Sequence, residues 1–204
     1  MRPAYITDNF LHDFIAAALA EDVGDGDHST LASIPASARS TARLLVKDDG
    51  ILAGAALARE IFNLVDKDVK MTVLINDGTS IKNGDVAFSV TGSARTILTV
   101  ERLVLNCMQR MSAIATKTRH FKQLIAGTKA QLLDTRKTTP NFRLLEKWAV
   151  LIGGGRNHRI GLFDMIMLKD NHIDMAGGVS AAINRTKDYL RAINRTLPIE
   201  VETR

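Results

Sequence analysis

A chain of 204 residues, 46% hydrophobic and 24% charged, has the composition of a soluble globular protein with room for one large core or two small ones. A formal charge of +5 and a pI near 9.5 raise nucleic acid as a partner. Aromatic residues make up only 5% of the chain and no Lys/Arg-rich run exists, so a base-stacking surface is not expected. The single cysteine, Cys107, leaves no internal disulfide and fits a reducing compartment. It lies among Leu103, Val104, Leu105, Met108 and Met111, the setting of a small buried hydrophobe.

The N-terminus carries no basic-then-apolar signal pattern, and the apolar run over 14–20 is stopped by Glu21-Asp22 before it could span a membrane. A soluble, cytoplasmic protein is expected. The first helix is predicted over 8–21, capped by Asp8 or Asn9 and ended near Gly24. The acidic, glycine-rich stretch over 21–30 lacks the glycine and closing glutamate placement of a calcium loop and reads as a solvated turn. A strand over 42–47 turns at Asp48-Asp49-Gly50 and continues over 51–53; a helix follows over 55–65. Strands are expected at 71–76 and 86–92, with Asp77-Gly78 and Asn83-Gly84 as turn signals. This order predicts an α+β N-terminal unit.

The longest helical pattern covers 93–127, with Ile97, Leu98, Glu101, Leu105, Met108 and Ser112 near helical spacing as the core stripe and Arg102 beside it. A domain boundary is placed near residue 115. Beyond it, strands over 131–135, 163–169 and 199–203 alternate with helices over 142–151 and 179–197, which predicts a parallel sheet with chemistry at the carboxyl ends of its strands. The last strand has neither a covering helix nor a later partner, so the physical expectation is of a chain cut short.

Residues 136–172 hold seven Lys/Arg against three Asp/Glu, and so supply +4 of the formal +5. Arg136 and Lys137 set a planar fork beside a mobile point charge, a pairing suited to carboxylate or phosphate. A surface cation pair is the plain alternative. The Gly153-Gly154-Gly155 run lets backbone amides approach an anion, although a helix-ending loop explains it equally well. His158-Arg159 follow at once. Lys169 comes after four apolar residues and needs a partner, either Asp170 or a ligand. Glu200 and Glu202 lie two apart on a strand and share one face. Glu202 suits a Mg²⁺ held on a phosphate, or an ion pair with Arg204 or a nearby lysine.

Glu101-Arg102 with Leu105-Asn106, Thr-Arg-Lys-Thr-Thr-Pro at 135–140, Gly-Gly-Gly-x-x-His-Arg at 153–159, Leu-Lys-Asp-Asn-His at 168–172 and Glu-Val-Glu at 200–202 together resemble the quinolinate phosphoribosyltransferase family. The likeness extends to Glu-Asp-x-Gly-x-Gly-Asp at 21–27 and covers essentially the whole chain. It implies an α/β protein: an N-terminal α+β sandwich-like domain over 1–115, then an incomplete parallel α/β barrel over 116–204, cut short at its C-terminus. It implies condensation of quinolinate with phosphoribosyl pyrophosphate to nicotinate mononucleotide, pyrophosphate and CO2, a step of NAD synthesis. It implies a homodimer in which Arg102 is lent to the partner's site. Quinolinate would be bound by Arg136, Lys137, His158 and Arg159, and the phosphoribosyl group by Lys169. Glu202 would stand near the ribose and touch Mg²⁺ only through the pyrophosphate. Lys137, Lys169 and Glu202 form the implied catalytic set.

Two departures from the family pattern stand out. Asn141 occupies the position of a family glycine, and Asn tolerates the left-handed backbone best after Gly. The family's later barrel strands and phosphate-binding glycine loops have no counterpart in these 204 residues. A catalytically incomplete chain that only dimerises, and the related protein associated with molybdenum transport, are the competing readings.

Overall fold

The computed structural model describes residues 2–202, and the chain divides into two compact units, Met1–Asn157 and His158–Arg204. The first unit is built on a three-stranded antiparallel sheet in the order β1 (Arg39–Leu45), β5 (Val86–Ser93), β3 (Lys70–Val73). Ala87, Phe88 and Val90 of β5 are buried. Helix α3 (Ala55–Val65) buries Leu57, Ala58, Ile61 and Phe62, and the Phe62 ring meets Phe88 edge-on with centroids 6.5 Å apart.

Helix α1 (Asp8–Val23) is capped by Thr7, whose Oγ1 accepts from Phe10 N at 3.1 Å, so the cap falls one residue before the expected Asp8 or Asn9. The stretch expected as a solvated turn holds a short helix, α2 (His28–Ser33), capped by Asp27 with Thr30 buried beneath it. Asp27 accepts from Thr30 N at 3.0 Å and from Thr99 Oγ1 of the long helix at 3.1 Å. These side-chain and backbone hydrogen bonds hold its carboxyl below the ordinary value.

Residues 50–53 do not prolong β1. Strand β2 (Gly50–Ile51) pairs instead with β4 (Ser80–Ile81), a strand without sequence pattern. The cause is helix α4 (Ala94–Leu124): its Thr116 Oγ1 accepts from Ile51 N at 2.8 Å and its Ser112 Oγ from Ala53 N at 2.9 Å. These hydroxyls draw the segment off the first sheet.

Helix α4 is 31 residues long and, at 1.5 Å per residue, runs for about 46 Å. Its buried stripe is Ile97, Val100, Val104, Cys107, Met108, Met111, Ala115 and Thr118. The buried stripe departs from the predicted one in part: Leu98 is 44% exposed and Glu101 is also exposed, whereas Ile97 and Met108 are buried, and α1, α2, α3 and α5 all contact α4. Cys107 is buried as expected, which pushes its thiol up to about 12.

The strand expected over 131–135 is reduced to one parallel bridge, Leu133 with Arg156. Helix α5 (Arg143–Gly153) follows and packs on α4. In the second unit, β6 (Ile166–Leu168) and β7 (Ile199–Val201) pair in parallel, with α6 (Asp170–Ala176) and α7 (Val179–Ala192) between them in sequence. The expected 163–169 strand shortens because Asp164 ties a turn, accepting from Ile160 N at 2.7 Å and Gly161 N at 2.8 Å. Helix α7 stops before the predicted residue 197 because Asn194 takes a left-handed backbone, φ 49°. The part of the last predicted strand at Thr203 lies outside the described residues.

Candidate functional site

The predicted site residues fall into a group in each unit. In the first, Arg136 and Lys137 occupy the turn between the Leu133 bridge and α5. Lys137 is exposed and Arg136 half-buried. The Arg136 Nε is fully shielded and has no hydrogen-bond partner among the described residues. A buried, charged donor without an acceptor is costly.

The walls of this turn are polar and buried. Lys147 of α5, 1% exposed, is ion-paired with Asp134, whose side chain is 8% exposed. Asn157 Nδ2 donates to Asp134 Oδ2 at 2.6 Å and to Lys147 O at 2.8 Å, and Tyr5 OH donates to Asn157 Oδ1 at 2.8 Å. Burial, and then the Asp134 charge, raise the Tyr5 hydroxyl pKa above its ordinary value. On the other flank Glu146, 7% exposed, accepts from Arg110 Nη2 at 2.7 Å and Nε at 2.9 Å. It also accepts from Thr139 N at 3.2 Å and Thr139 Oγ1 at 2.9 Å. Asn141 sits at φ 60°, the left-handed conformation expected of it. Sequence reasoning missed Asp134, Glu146 and Lys147 as parts of the site. The available signal was an adjacent Glu-Lys pair inside a helix whose neighbours Leu145, Trp148 and Ala149 are all apolar.

The triple glycine serves packing. A Cβ on Gly153 would lie 2.6 Å from Ala115 O of α4, and Gly154 ends α5 at φ 92°. The helix-ending alternative is the one observed. Arg102 is exposed on α4, with no hydrogen bond or ion pair among the described residues. A cavity of about 720 Å³ between residues 44–52 and α4 contains none of the predicted site residues.

In the second unit the β6–β7 pair brings a histidine and a lysine onto two carboxylates. Glu200 Oε2 lies 2.8 Å from His158 Nε2, and Glu202 Oε2 lies 3.1 Å from Lys169 Nζ. The two glutamates share a face as their spacing requires. Lys169 is paired with Glu202, and Arg204 lies outside the described residues. Lys169 and Glu202 are 48% and 49% exposed, so their pair is weak and open to exchange with an anionic ligand. Both residues directly follow the carboxyl ends of parallel strands. Arg159 is half-buried and donates from Nη1 to Met165 O at 3.3 Å. The Lys-Asp-Asn-His cluster opens α6, where His172 Nδ1 accepts from Lys169 N at 3.0 Å. Among the described residues no three His, Cys, Asp or Glu side chains gather to hold a metal ion, and no helix is long and apolar enough to cross a membrane.

Comparison with known proteins agrees with this layout. The family model "Quinolinate phosphoribosyl transferase, N-terminal domain" matches residues 27–112, and the corresponding C-terminal domain model matches 114–204. The chain is 52% identical over 195 residues to quinolinate phosphoribosyltransferase (decarboxylating) 1b of Nicotiana tabacum, covering 95% of this chain and 55% of that protein. It is 50% identical over 191 residues to the chloroplastic nicotinate-nucleotide pyrophosphorylase (carboxylating) of Oryza sativa subsp. japonica, covering 93% of this chain and 51% of that protein. The chain thus spans about half the length of these relatives. Among solved structures, NadC from Streptococcus pyogenes superposes with a TM-score of 0.88 at 39% identity, covering 97% of this chain and 70% of that one. The nicotinate-nucleotide pyrophosphorylase of Francisella tularensis gives 0.85 at 37% identity, covering 97% and 69%. With both domain models matched in order and these identities sustained across more than nine-tenths of its length, the chain belongs to the quinolinate phosphoribosyltransferase family.

Proposed function

We propose that this chain binds quinolinate and phosphoribosyl pyrophosphate and carries out the carboxylating nicotinate-nucleotide pyrophosphorylase reaction, in the cytoplasm and as a homodimer. The observation that carries the reading is the pair of adjacent cations on one turn, the half-buried Arg136 and the exposed Lys137. A pyridine dicarboxylate supplies two anionic groups for such a pair. In the reaction the pyridine nitrogen attacks C1′ of the ribose and the bond from C1′ to the pyrophosphate oxygen breaks. The ring carboxylate next to the nitrogen leaves as CO2, and a solvent proton takes up the electron pair left on the ring carbon.

Arg136 and Lys137 orient the dianion, with His158 and Arg159 as further quinolinate ligands. Arg102, exposed on α4, is lent to the site of a second copy of the chain. Lys169 binds the phosphoribosyl group. Glu202, half-exposed beside it, stabilises the positive charge that develops on the ribose as pyrophosphate departs. Mg²⁺ usually takes one or two carboxylates plus substrate phosphates. Glu202 fits that role through the pyrophosphate, and the metal when bound neutralises the leaving group.

The direct experiment incubates the 204-residue chain with Mg²⁺, phosphoribosyl pyrophosphate and either quinolinate or nicotinate. Nicotinate mononucleotide from quinolinate and none from nicotinate is expected. Product from nicotinate alone, or from neither substrate, would contradict the proposal.

A further inference from the structure

We propose that Glu146 and Lys147, consecutive residues of α5, are positioning residues that clamp the Arg136-Lys137 turn from both sides. The inference rests on the reading of that turn as the quinolinate-binding segment. Successive helical residues project about 100° apart, so a neighbouring pair can reach two separate points of one loop. Lys147 takes Asp134, two residues before Arg136, and Glu146 takes both the N–H and the hydroxyl of Thr139, two residues after Lys137. Between these anchors the turn is tied by Thr138 N to Arg136 O at 3.0 Å, Thr138 Oγ1 to Arg136 O at 3.3 Å and Lys137 N to Thr135 Oγ1 at 3.1 Å, and Arg143 Nε of α5 donates to Thr138 Oγ1 at 3.0 Å.

Each anchor is itself fixed. Asp134 is held by Asn157, by the Asp134 N to Arg156 O bond of 3.1 Å, and, through Asn157, by Tyr5. Glu146 is held by the two Arg110 nitrogens on α4. The clamp therefore ties the turn to the N-terminal segment, α4 and α5 at once.

Stability alone does not account for such groups. A buried ion pair replaced by apolar residues of similar volume often leaves a protein equally stable or more so, because desolvating two charges offsets their attraction. What a neutral replacement loses is geometry: the charged anchors set where residues 135–138 sit, and misplacing a binding group by about 1 Å can cost on the order of a hundredfold in rate.

The test uses two double variants of the full chain, D134N/K147M for one anchor and R110M/E146L for the other. Each removes both charges of its pair together, so no buried charge is left alone. Thermal melting, amide hydrogen exchange at residues 137–139 and the quinolinate Kd by calorimetry are measured for both. The clamp predicts melting within a few degrees of wild type, exchange at 137–139 faster by on the order of tenfold with α4 amides unchanged, and a Kd raised by a similar factor. Unchanged exchange and affinity in folded variants would overturn it, as would loss of folding in both, since that makes the pairs structural. Faster exchange in variants of a wild-type chain that itself fails to bind quinolinate would leave the clamp standing and remove the substrate reading.

Discussion

In the proposed function Arg136 is the side chain on which binding turns, and its identity as arginine is testable apart from its charge. Lysine would keep the positive charge but lose the planar fork that meets a carboxylate in two parallel hydrogen bonds. Charge-assisted hydrogen bonds are worth about 1.5–3 kcal/mol each, so Arg136→Lys should raise the quinolinate Kd by roughly ten- to a hundredfold. Melting temperature should not fall, because the wild-type Nε makes no bond that the variant would lose. Calorimetry and a thermal melt on the same preparation check both halves. A Kd within threefold of wild type would mean that charge alone is recognised there.

At the scale of elements, the short α2 makes its own prediction. The Asp27 carboxylate caps this helix and ties it to Thr99 of α4, and its pKa is lowered in the fold. A lowered folded-state pKa means stability that is present above the ordinary carboxylate range and lost as pH falls through the folded value. The wild-type chain should therefore lose stability below about pH 4 more steeply than D27N, which has no carboxylate to protonate at that position. Urea denaturation at pH 3, 4 and 6 measures the difference, and parallel pH profiles would remove Asp27 from the account.

The same helix shows what the sequence made legible and where legibility stopped. Helices α1, α3 and α5 and strand β5 were readable because their apolar residues repeat over two turns or more, or along a full strand. Helix α2 has six residues and its signal was the cap, Asp27, hidden in a run of acids and glycines that resembled a turn. Strand β2 was readable as extended chain but not as a separate sheet, because its partner choice depends on Ser112 and Thr116, some sixty residues away. The face of α4 was misjudged by about one position for a related reason: the neighbouring helices α1, α2, α3 and α5 choose which stripe is covered. Motif residues 102, 136, 137, 159, 169 and 202 were all legible as charges, and 158 as a histidine beside them. Their partners were legible only in part. The Glu200–Glu202 spacing foretold a shared face, whereas the Glu146–Thr139 and Lys147–Asp134 links carry no local pattern.

At the scale of the whole molecule, the proposed homodimer makes a claim that mixing can test. If Arg102 serves the site of a second copy while Arg136 serves its own, R102Q and R136Q chains each lack every complete site. A mixed dimer regains one complete site of two, so an equimolar mixture refolded together should recover about a quarter of the wild-type binding capacity, as two-fold symmetry requires. No recovery, in a mixture shown by sedimentation to be dimeric, would place Arg102 outside the shared site.

The central claim is that the cation-bearing turn of this chain is built for a dicarboxylate. Calorimetric titration of the 204-residue chain with quinolinate, set against nicotinate under the same salt, tests it most directly. Quinolinate binding with a Kd at least tenfold below that of nicotinate, abolished in R136Q, is the expected result. Equal affinity for the two acids, or quinolinate binding that survives the loss of Arg136, would contradict it.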